Sequence, residues 1–225
     1  MTRSRSRSLA AALLAAALGA FGAAPAAAQD GGHSHSHAPS SLPASAQGYA
    51  WTAADAQFMT SMIGHHAQAI VMSRMAPTHG ASPQVRVLAE RIINAQQDEI
   101  ATMQRWLRER GQPVPDPAAP MAGMSGMAGM SGMHHDMHMP GMLTQAQLAE
   151  LDAARGTEFD RLFLTYMIQH HTGATSMVQA LFSARGAGQD EAVFKFASDV
   201  NVDQTTEIAR MQRMLAAVVF GPVSP

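Results

Sequence analysis

Two adjacent histidines occur twice within the same repeated framework of residues, each time with methionines nearby. His65-His66 is followed 105 positions later by His170-His171, and the surrounding residues repeat with the same offset. Imidazole nitrogen and thioether sulfur are the ligands that soft metals such as Cu(I) prefer in proteins. The repeat therefore predicts a metal site, whose candidate ligands are Met62, His65, His66, Met72, Met103, Met167, His170, His171, Met177 and Met211.

The spacing around the histidines predicts that they lie inside a helical bundle. Phe58, Met62, His65, Ala69 and Met72 follow one another at intervals of four and three, the period of a stripe buried between helices. The second copy has the same period. A single histidine on such a stripe is usually a structural residue of the core. Two adjacent pairs at equivalent positions favour metal binding instead.

Two further helices carry a glutamine and a glutamate at positions predicted to be buried. These residues are Gln96 and Glu99, and Gln204 and Glu207 in the second copy. An unpaired buried carboxylate costs several kcal/mol, so each glutamate needs a partner. In an antiparallel hairpin, Gln96 and Glu99 lie within about one turn of His65. We expect the glutamates to orient the histidines or to bind the metal directly; a purely structural hydrogen bond is the alternative.

A second set of methionines lies outside these helices, in residues 111–143. A methionine recurs there at every third position, with histidines after the run and mostly Gly, Ala and Ser between. This period does not match a helix face, and the glycine content predicts a flexible linker. Because thioethers bind Cu(I), and by the same reasoning Ag(I), better than Ca²⁺, Mg²⁺ or Zn²⁺, the linker is a second candidate copper site. Its candidate ligands are Met121, Met124, Met127, Met130, Met133, His134, His135 and His138.

The helix signals predict an all-α fold in two repeated hairpins, 52–110 and 144–219. Capping residues predict long helices over 52–76, 83–110, 157–185 and 190–219, and a short helix after Thr144. The third long helix is predicted to begin with a capping box of Thr157 and Asp160, as Thr52 and Asp55 begin the first. One hairpin cannot bury its apolar face alone, so the pair predicts a four-helix bundle.

The N-terminus and the composition predict an exported protein. Residues 1–28 combine a basic start, an apolar run and a small-residue cleavage site at Ala28, which is typical of a signal peptide, and residues 29–50 form a histidine-containing disordered tail. The mature chain would be periplasmic or secreted, without a membrane anchor. It has no cysteine, and its 12 basic and 17 acidic residues do not favour nucleic acid.

Two other functions fit a four-helix bundle. A ferritin-like di-iron oxidase needs Glu-x-x-His on two helices, and neither Glu99 nor Glu207 has a histidine three residues later. A metal-independent scaffold that binds a protein partner would have no affinity for Cu(I). We therefore predict a metal-binding protein that needs no catalytic activity.

The chain resembles the domain-of-unknown-function family 305 (DUF-305). The resemblance is carried by Met-x-x-His-His-x-x-Ala-x-x-Met at 62–72 and 167–177, and by Gln-x-x-Glu-Ile-x-x-Met at 96–103 and 204–211. It implies a ferritin-like four-helix bundle in exported bacterial proteins, and copper binding in copper resistance. We expect sequestration or transfer of Cu(I), with Cu(II) or Ag(I) as further ions and another periplasmic copper carrier or an efflux component as partner.

Overall fold

Five α-helices make up the part of the chain that this computed structural model describes, residues 50–118 and 139–221. They are α1 (Ala53–Met75), α2 (Pro83–Glu109), α3 (Gln145–Ala153), α4 (Gly156–Ser183) and α5 (Glu191–Phe220). The helix α1 packs against α2, α4 packs against α5, and α1 packs against α4. Neither described range contains a strand. The predicted all-α four-helix bundle of two hairpins is confirmed, with the short α3 leading into the second hairpin.

Some predicted segments lie outside the described residues. They are the signal peptide 1–28, the histidine-containing tail up to residue 49, and residues 119–138 of the linker. The linker ligands Met121 to His138 belong to this group, so they stay predictions. Among the helices that the structure describes, none is both long enough and apolar enough to cross a membrane.

Most predicted helix starts are confirmed. Thr52 and Asp55 form a capping box at α1, and Thr144 and Gln147 form another at α3. The Ser82 hydroxyl accepts a hydrogen bond from the Val85 amide at the start of α2, and the Asp190 carboxylate caps α5. Each cap satisfies amides that the first helical turn leaves without a partner.

The predicted start of α4 is wrong. The helix begins at Gly156, and Arg155 precedes it without a side-chain cap. Thr157 lies inside the first turn of α4, so it cannot act as the N-cap of a capping box with Asp160. Both carboxylate oxygens of Asp160 accept the backbone amide of Ser82 instead, at 3.1 and 3.2 Å. The Asp160 carboxylate thus accepts a hydrogen bond from the α1–α2 turn, which belongs to the other hairpin.

Asp55 and Asp160 are equivalent residues of the two copies, and each ties its hairpin to the turn of the other. Asp55 Oδ1 accepts the backbone amide of Gly188, in the α4–α5 turn, at 2.6 Å. Its Oδ2 accepts the amide and hydroxyl of Thr52 at 2.7 and 2.8 Å. Asp160 accepts from Ser82, in the α1–α2 turn. These two contacts fix the hairpins relative to each other.

We expect Asp55→Ala to lower the free energy of unfolding by about 2–4 kcal/mol, because it removes a cap and leaves a buried amide without an acceptor. The Asp55 side chain is completely buried. Urea unfolding followed by circular dichroism measures the change. Asp98→Ala, at an exposed position of α2, is the control and should stay within about 0.5 kcal/mol of the wild type. Equal effects of the two changes would contradict the role given to Asp55.

The apolar core consists of two clusters, one toward each end of the bundle. The first includes Phe58, Leu107, Leu181 and Phe196, from the beginnings of α1 and α5 and the ends of α2 and α4. The second includes Met72, Leu88, Phe163 and Met211, from the opposite halves of the same helices. Because α1 and α4 run in opposite directions, both histidine pairs fall at the level where the clusters meet.

Candidate metal centre

All four histidines of the two pairs are completely buried at the middle of the bundle. His65 and His66 lie on α1, and His170 and His171 lie on α4; each has zero exposed surface. We call these four residues the histidine layer. A buried imidazole needs partners for its ring nitrogens, because an unpaired polar atom in a protein core costs about 1–3 kcal/mol. The hydrogen-bond partners of each ring therefore show which ring nitrogens are left free to bind a metal ion.

His65 and His170 face each other across the interface between the hairpins. Their ring centroids are 3.9 Å apart, at an interplanar angle of 40°. His65 Nε2 lies 3.0 Å from the Pro140 carbonyl oxygen, so it donates a proton to that oxygen, and the lone pair of the neutral ring is on Nδ1. His65 Nδ1 and both ring nitrogens of His170 have no hydrogen-bond partner of ordinary geometry, and the backbone of His65 acts on the His170 ring only by weakly opposing the fall of its pKa. Lone pairs of this kind can bind a metal ion.

Burial keeps this pair uncharged. It lowers the pKa of His65 from 6.5 to about 3, and the neighbouring His66 lowers it further, against the opposing effect of the Pro140 carbonyl. The pKa of His170 is also held well below its ordinary value, first by burial and then by the nearby His65 and His171. At neutral pH both rings are therefore free bases, which is the form that binds metals.

The second histidine of each pair donates to a glutamate. His66 Nε2 lies 2.6 Å from Glu99 Oε2, and His171 Nε2 lies 2.8 Å from Glu207 Oε2. In both rings Nδ1 is buried without a partner. The sequence placed Glu99 at the level of His65, but the hydrogen bond goes to the next residue, His66. The carboxylates are 19 % and 14 % exposed, so they reach the edge of the core.

The two predicted glutamines are also buried. Gln96 is 2 % exposed and Gln204 is 3 % exposed, each one turn before the glutamate of its helix. Both amide atoms of Gln96 and the amide oxygen of Gln204 have no hydrogen-bond partner. Their predicted role as supporting residues of a metal site stays a prediction.

Five of the six methionines predicted as bundle ligands are completely buried. Met62 and Met103 belong to the first core cluster, and Met72, Met167 and Met211 belong to the second. Met177 differs, because it is half-buried and lines a cavity between α1 and α4. Within the described residues, no three His, Asp or Glu side chains form a group that could hold a metal ion. The ligand set, with its methionines, stays a prediction.

The last residues of the linker lie against the histidine layer, which the sequence did not predict. Residues 139–143, here called the strap, cross the groove between α1 and α4. The Gln68 side chain donates to the Leu143 carbonyl at 3.0 Å and accepts the Leu143 amide at 2.7 Å. Gln169 donates to the Gly141 carbonyl at 3.4 Å. Glutamines from both hairpins therefore hold the strap in place.

Glycine allows the strap to approach α4 closely. A Cβ atom at Gly173 would overlap the carbonyl group of Pro140. Gly141 has a φ of 78°, and a Cβ atom there would lie 2.6 Å from the carbonyl oxygen of Gln169. One difference between the two copies could have indicated this contact, because the residue equivalent to Gly173 in the first copy is Gln68. Gly173 brings the Pro140 carbonyl within reach of His65.

One more histidine of the described residues, His79, was also missed by the sequence reasoning. Its Nδ1 lies 2.9 Å from the Thr78 hydroxyl, and its Nε2 lies 2.9 Å from the Asp152 carbonyl oxygen. Both ring nitrogens have partners, so His79 joins the α1–α2 turn to α3 and has no free lone pair. It is a structural histidine.

The family described as "Domain of unknown function (DUF305)" matches residues 55–215 of the sequence. The chain belongs to the DUF305 family. The matched residues of this DUF305 protein include both histidine pairs and both glutamates, which confirms the resemblance noted from the motifs.

Solved structures of a DUF305 protein and of CopM share the fold. A Streptomyces coelicolor DUF305 protein, assigned to the secreted proteins, is 28% identical with a TM-score of 0.60, over 73% of this chain and 93% of that one. Cu(II)-bound CopM is 30% identical with a TM-score of 0.54, over 72% and 95% of the two chains. Cu(I)-bound CopM is 27% identical with a TM-score of 0.52, over 73% and 96%.

A curated relative covers less of the DUF305 chain. The protein L153 of Acanthamoeba polyphaga mimivirus is 41% identical over 56 residues, which are 25% of this chain. The match spans only 37% of the length of that relative. The similarity therefore concerns a part of each protein.

Proposed function

We propose that this DUF305 protein binds copper as its cargo, preferentially as Cu(I), at the histidine layer. The observation that carries the proposal is the His65–His170 pair, in which two neutral, buried imidazoles face each other with unpartnered nitrogens. A core without a ligand gains nothing from these lone pairs, since apolar residues of the same size would avoid the cost of burying them. A bound metal ion would satisfy them.

The neighbouring side chains favour a soft ion. Met62 and Met167 lie one helical turn before His65 and His170, and the chain has no cysteine that could supply a thiolate. Imidazole with thioether suits Cu(I), and Ag(I) shares that preference. The likeness to CopM, which has been solved with Cu(I), Cu(II) and silver, supports the same choice of metals. The histidines would also accept Cu(II).

Glu99 and Glu207 act in this proposal by orienting His66 and His171. A carboxylate that accepts the proton of one ring nitrogen turns the other nitrogen toward the metal and makes it more basic. The observed hydrogen bonds leave Nδ1 of both rings as the nitrogen for the metal. In this arrangement the glutamates are supporting residues and do not bind the metal themselves.

The proposal also covers the cell compartment and the parts of the chain outside the described residues. We place the mature protein in the periplasm or outside the cell, in copper resistance or homeostasis. The methionines and histidines of 121–138 would hold further Cu(I) at lower affinity. Sequestration, or transfer to another copper carrier or efflux component, requires no catalytic activity, so Fe(II) and oxygen should give no turnover.

The proposal is tested by titrating the purified protein with Cu(I) in the presence of a competing chelator. We expect at least one Cu(I) to be taken from the chelator. The free energy of unfolding should also rise, by about 2.7 kcal/mol at free Cu(I) a hundredfold above Kd. Mg²⁺ at the same concentration is the control, because neither imidazole nor thioether is a good ligand for it, so it should give no comparable rise. No competition with the chelator would leave the protein-binding scaffold as the better account.

A further inference from the structure

The groove between α1 and α4 contains a cavity beside the histidine layer. Its volume is about 290 Å³, and its walls include Phe58 of α1 and Leu181 of α4. Met139 and Pro140 of the strap also line it. The Pro140 carbonyl accepts a hydrogen bond from His65 Nε2, so the cavity shares one strap residue with the His65–His170 pair, here called the metal pair.

Two thioethers are the soft donors of this cavity. Met139 reaches it from the strap, and Met177 reaches it from α4. The polar side chains in its wall are Gln57 and Ser61, which bond to each other at 2.9 Å. The remaining wall residues are apolar. Sulfur donors in an apolar wall select a soft monovalent ion over Ca²⁺, Mg²⁺ or Zn²⁺.

The strap also covers the metal pair from this side. Its backbone lies directly on Gly173, and the Pro140 carbonyl bonds to His65. Met139 and Met177 are both only half-buried, whereas the histidines have no exposed surface. An ion arriving from solvent along this groove would therefore meet the thioethers before the imidazoles.

We propose that Met139 and Met177 form an uptake site for a soft monovalent metal ion, from which the ion reaches His65 and His170 when the strap moves away. This inference rests on the proposed function, since it assigns a route to the same metal pair. No bond changes other than ligand exchange are involved: the ion leaves the sulfur atoms and binds ring nitrogens, and His65 Nε2 releases the Pro140 carbonyl.

The test follows the histidine ring signals by NMR after adding Ag(I). This ion is diamagnetic, so the ring signals stay visible when it binds. We expect the double variant Met139→Leu/Met177→Leu to reach the same end point as the wild type at a rate about tenfold lower, because a step on the route has lost its ligands. Met142→Leu is the control, since Met142 belongs to the strap but does not line the cavity. Its rate should equal that of the wild type.

A second variant tests the strap without removing a metal ligand. Gly173→Ala would push the Pro140 carbonyl away, while alanine favours the helical conformation more than glycine does. We expect uptake to be faster by about tenfold. Thr172→Ala, at the exposed neighbouring position, should leave the rate unchanged.

The possible results separate the two proposals. If the wild-type ring signals shift and the double variant is equally fast, the uptake site is refuted and copper binding stands. If Gly173→Ala is no faster than the wild type, the strap does not control access. If the wild-type ring signals do not respond to Ag(I) or Cu(I) at all, the histidine layer is not a metal site, and both proposals fail.

Discussion

Replacing His65 and His170 together by leucine is expected to lower the Cu(I) affinity of the histidine layer by at least about a hundredfold. Loss of a residue that only supports a ligand commonly costs 10- to 100-fold, and these residues are proposed as the ligands themselves. Leucine fills the space of the ring, so the bundle should still fold. Cu(I) titration against chelators of graded affinity measures the loss, and a weaker component from the linker should remain.

The control for this experiment is His79→Gln. It also removes a buried histidine, but one whose ring nitrogens both have hydrogen-bond partners. We expect it to lower stability and leave the Cu(I) affinity within about threefold of the wild type, the usual spread of such effects. Tight binding that survives the double leucine change would make His65 and His170 structural residues and move the site elsewhere in the chain.

The metal-free protein is expected to lose stability as the pH falls below about 6.5, and the double leucine variant should lose less. The folded pKa of His65 is about 3, whereas an unfolded histidine has a pKa near 6.5. Between these values the unfolded chain binds a proton that the folded protein does not, so acid favours unfolding. For His65 alone, this effect lowers the free energy of unfolding by about 2 kcal/mol at pH 5. His170 acts in the same direction.

Urea unfolding at pH 7, 6 and 5 measures this difference. The wild type and the double variant share their carboxylates, so the difference between their pH profiles isolates the two histidines. The leucine variant should be more stable than the wild type at pH 5, although it binds no copper tightly. Parallel loss of stability in both proteins would mean that the histidine layer does not stay neutral in the folded state.

The repeat explains why so much of the bundle could be predicted. The positions from Phe58 to Met72 alternate at helical intervals, and their copy 105 positions later does the same. Periodicity depends on neighbours along one helix, so it predicts helices and their buried sides well. It does not say which element of the other hairpin a side chain meets. Asp160 illustrates this limit, because its local pattern matches a capping box while its carboxylate binds the distant Ser82.

The candidate site was predicted in part for the same reason. Counting residues along a hairpin predicted that Glu99 lies within one turn of the histidines. It could not tell which histidine Glu99 contacts, because His65 and His66 differ by about 100° around the helix. The strap could not be predicted at all. Its position depends on a close backbone contact between Gly141 and Gly173, which leaves no periodic signal.

The strap makes the two halves of the bundle non-interchangeable. The strap contacts Gln169 and Gly173 of the second half, and the equivalent residues of the first half are Gly64 and Gln68. A symmetric homodimer of the first hairpin would place a glutamine at the position of Gly173, where the strap has no room for a side chain. Such a dimer could reproduce the four histidines, but both copies of His65 would lack the Pro140 carbonyl. One asymmetric connection thus gives two similar imidazoles different surroundings.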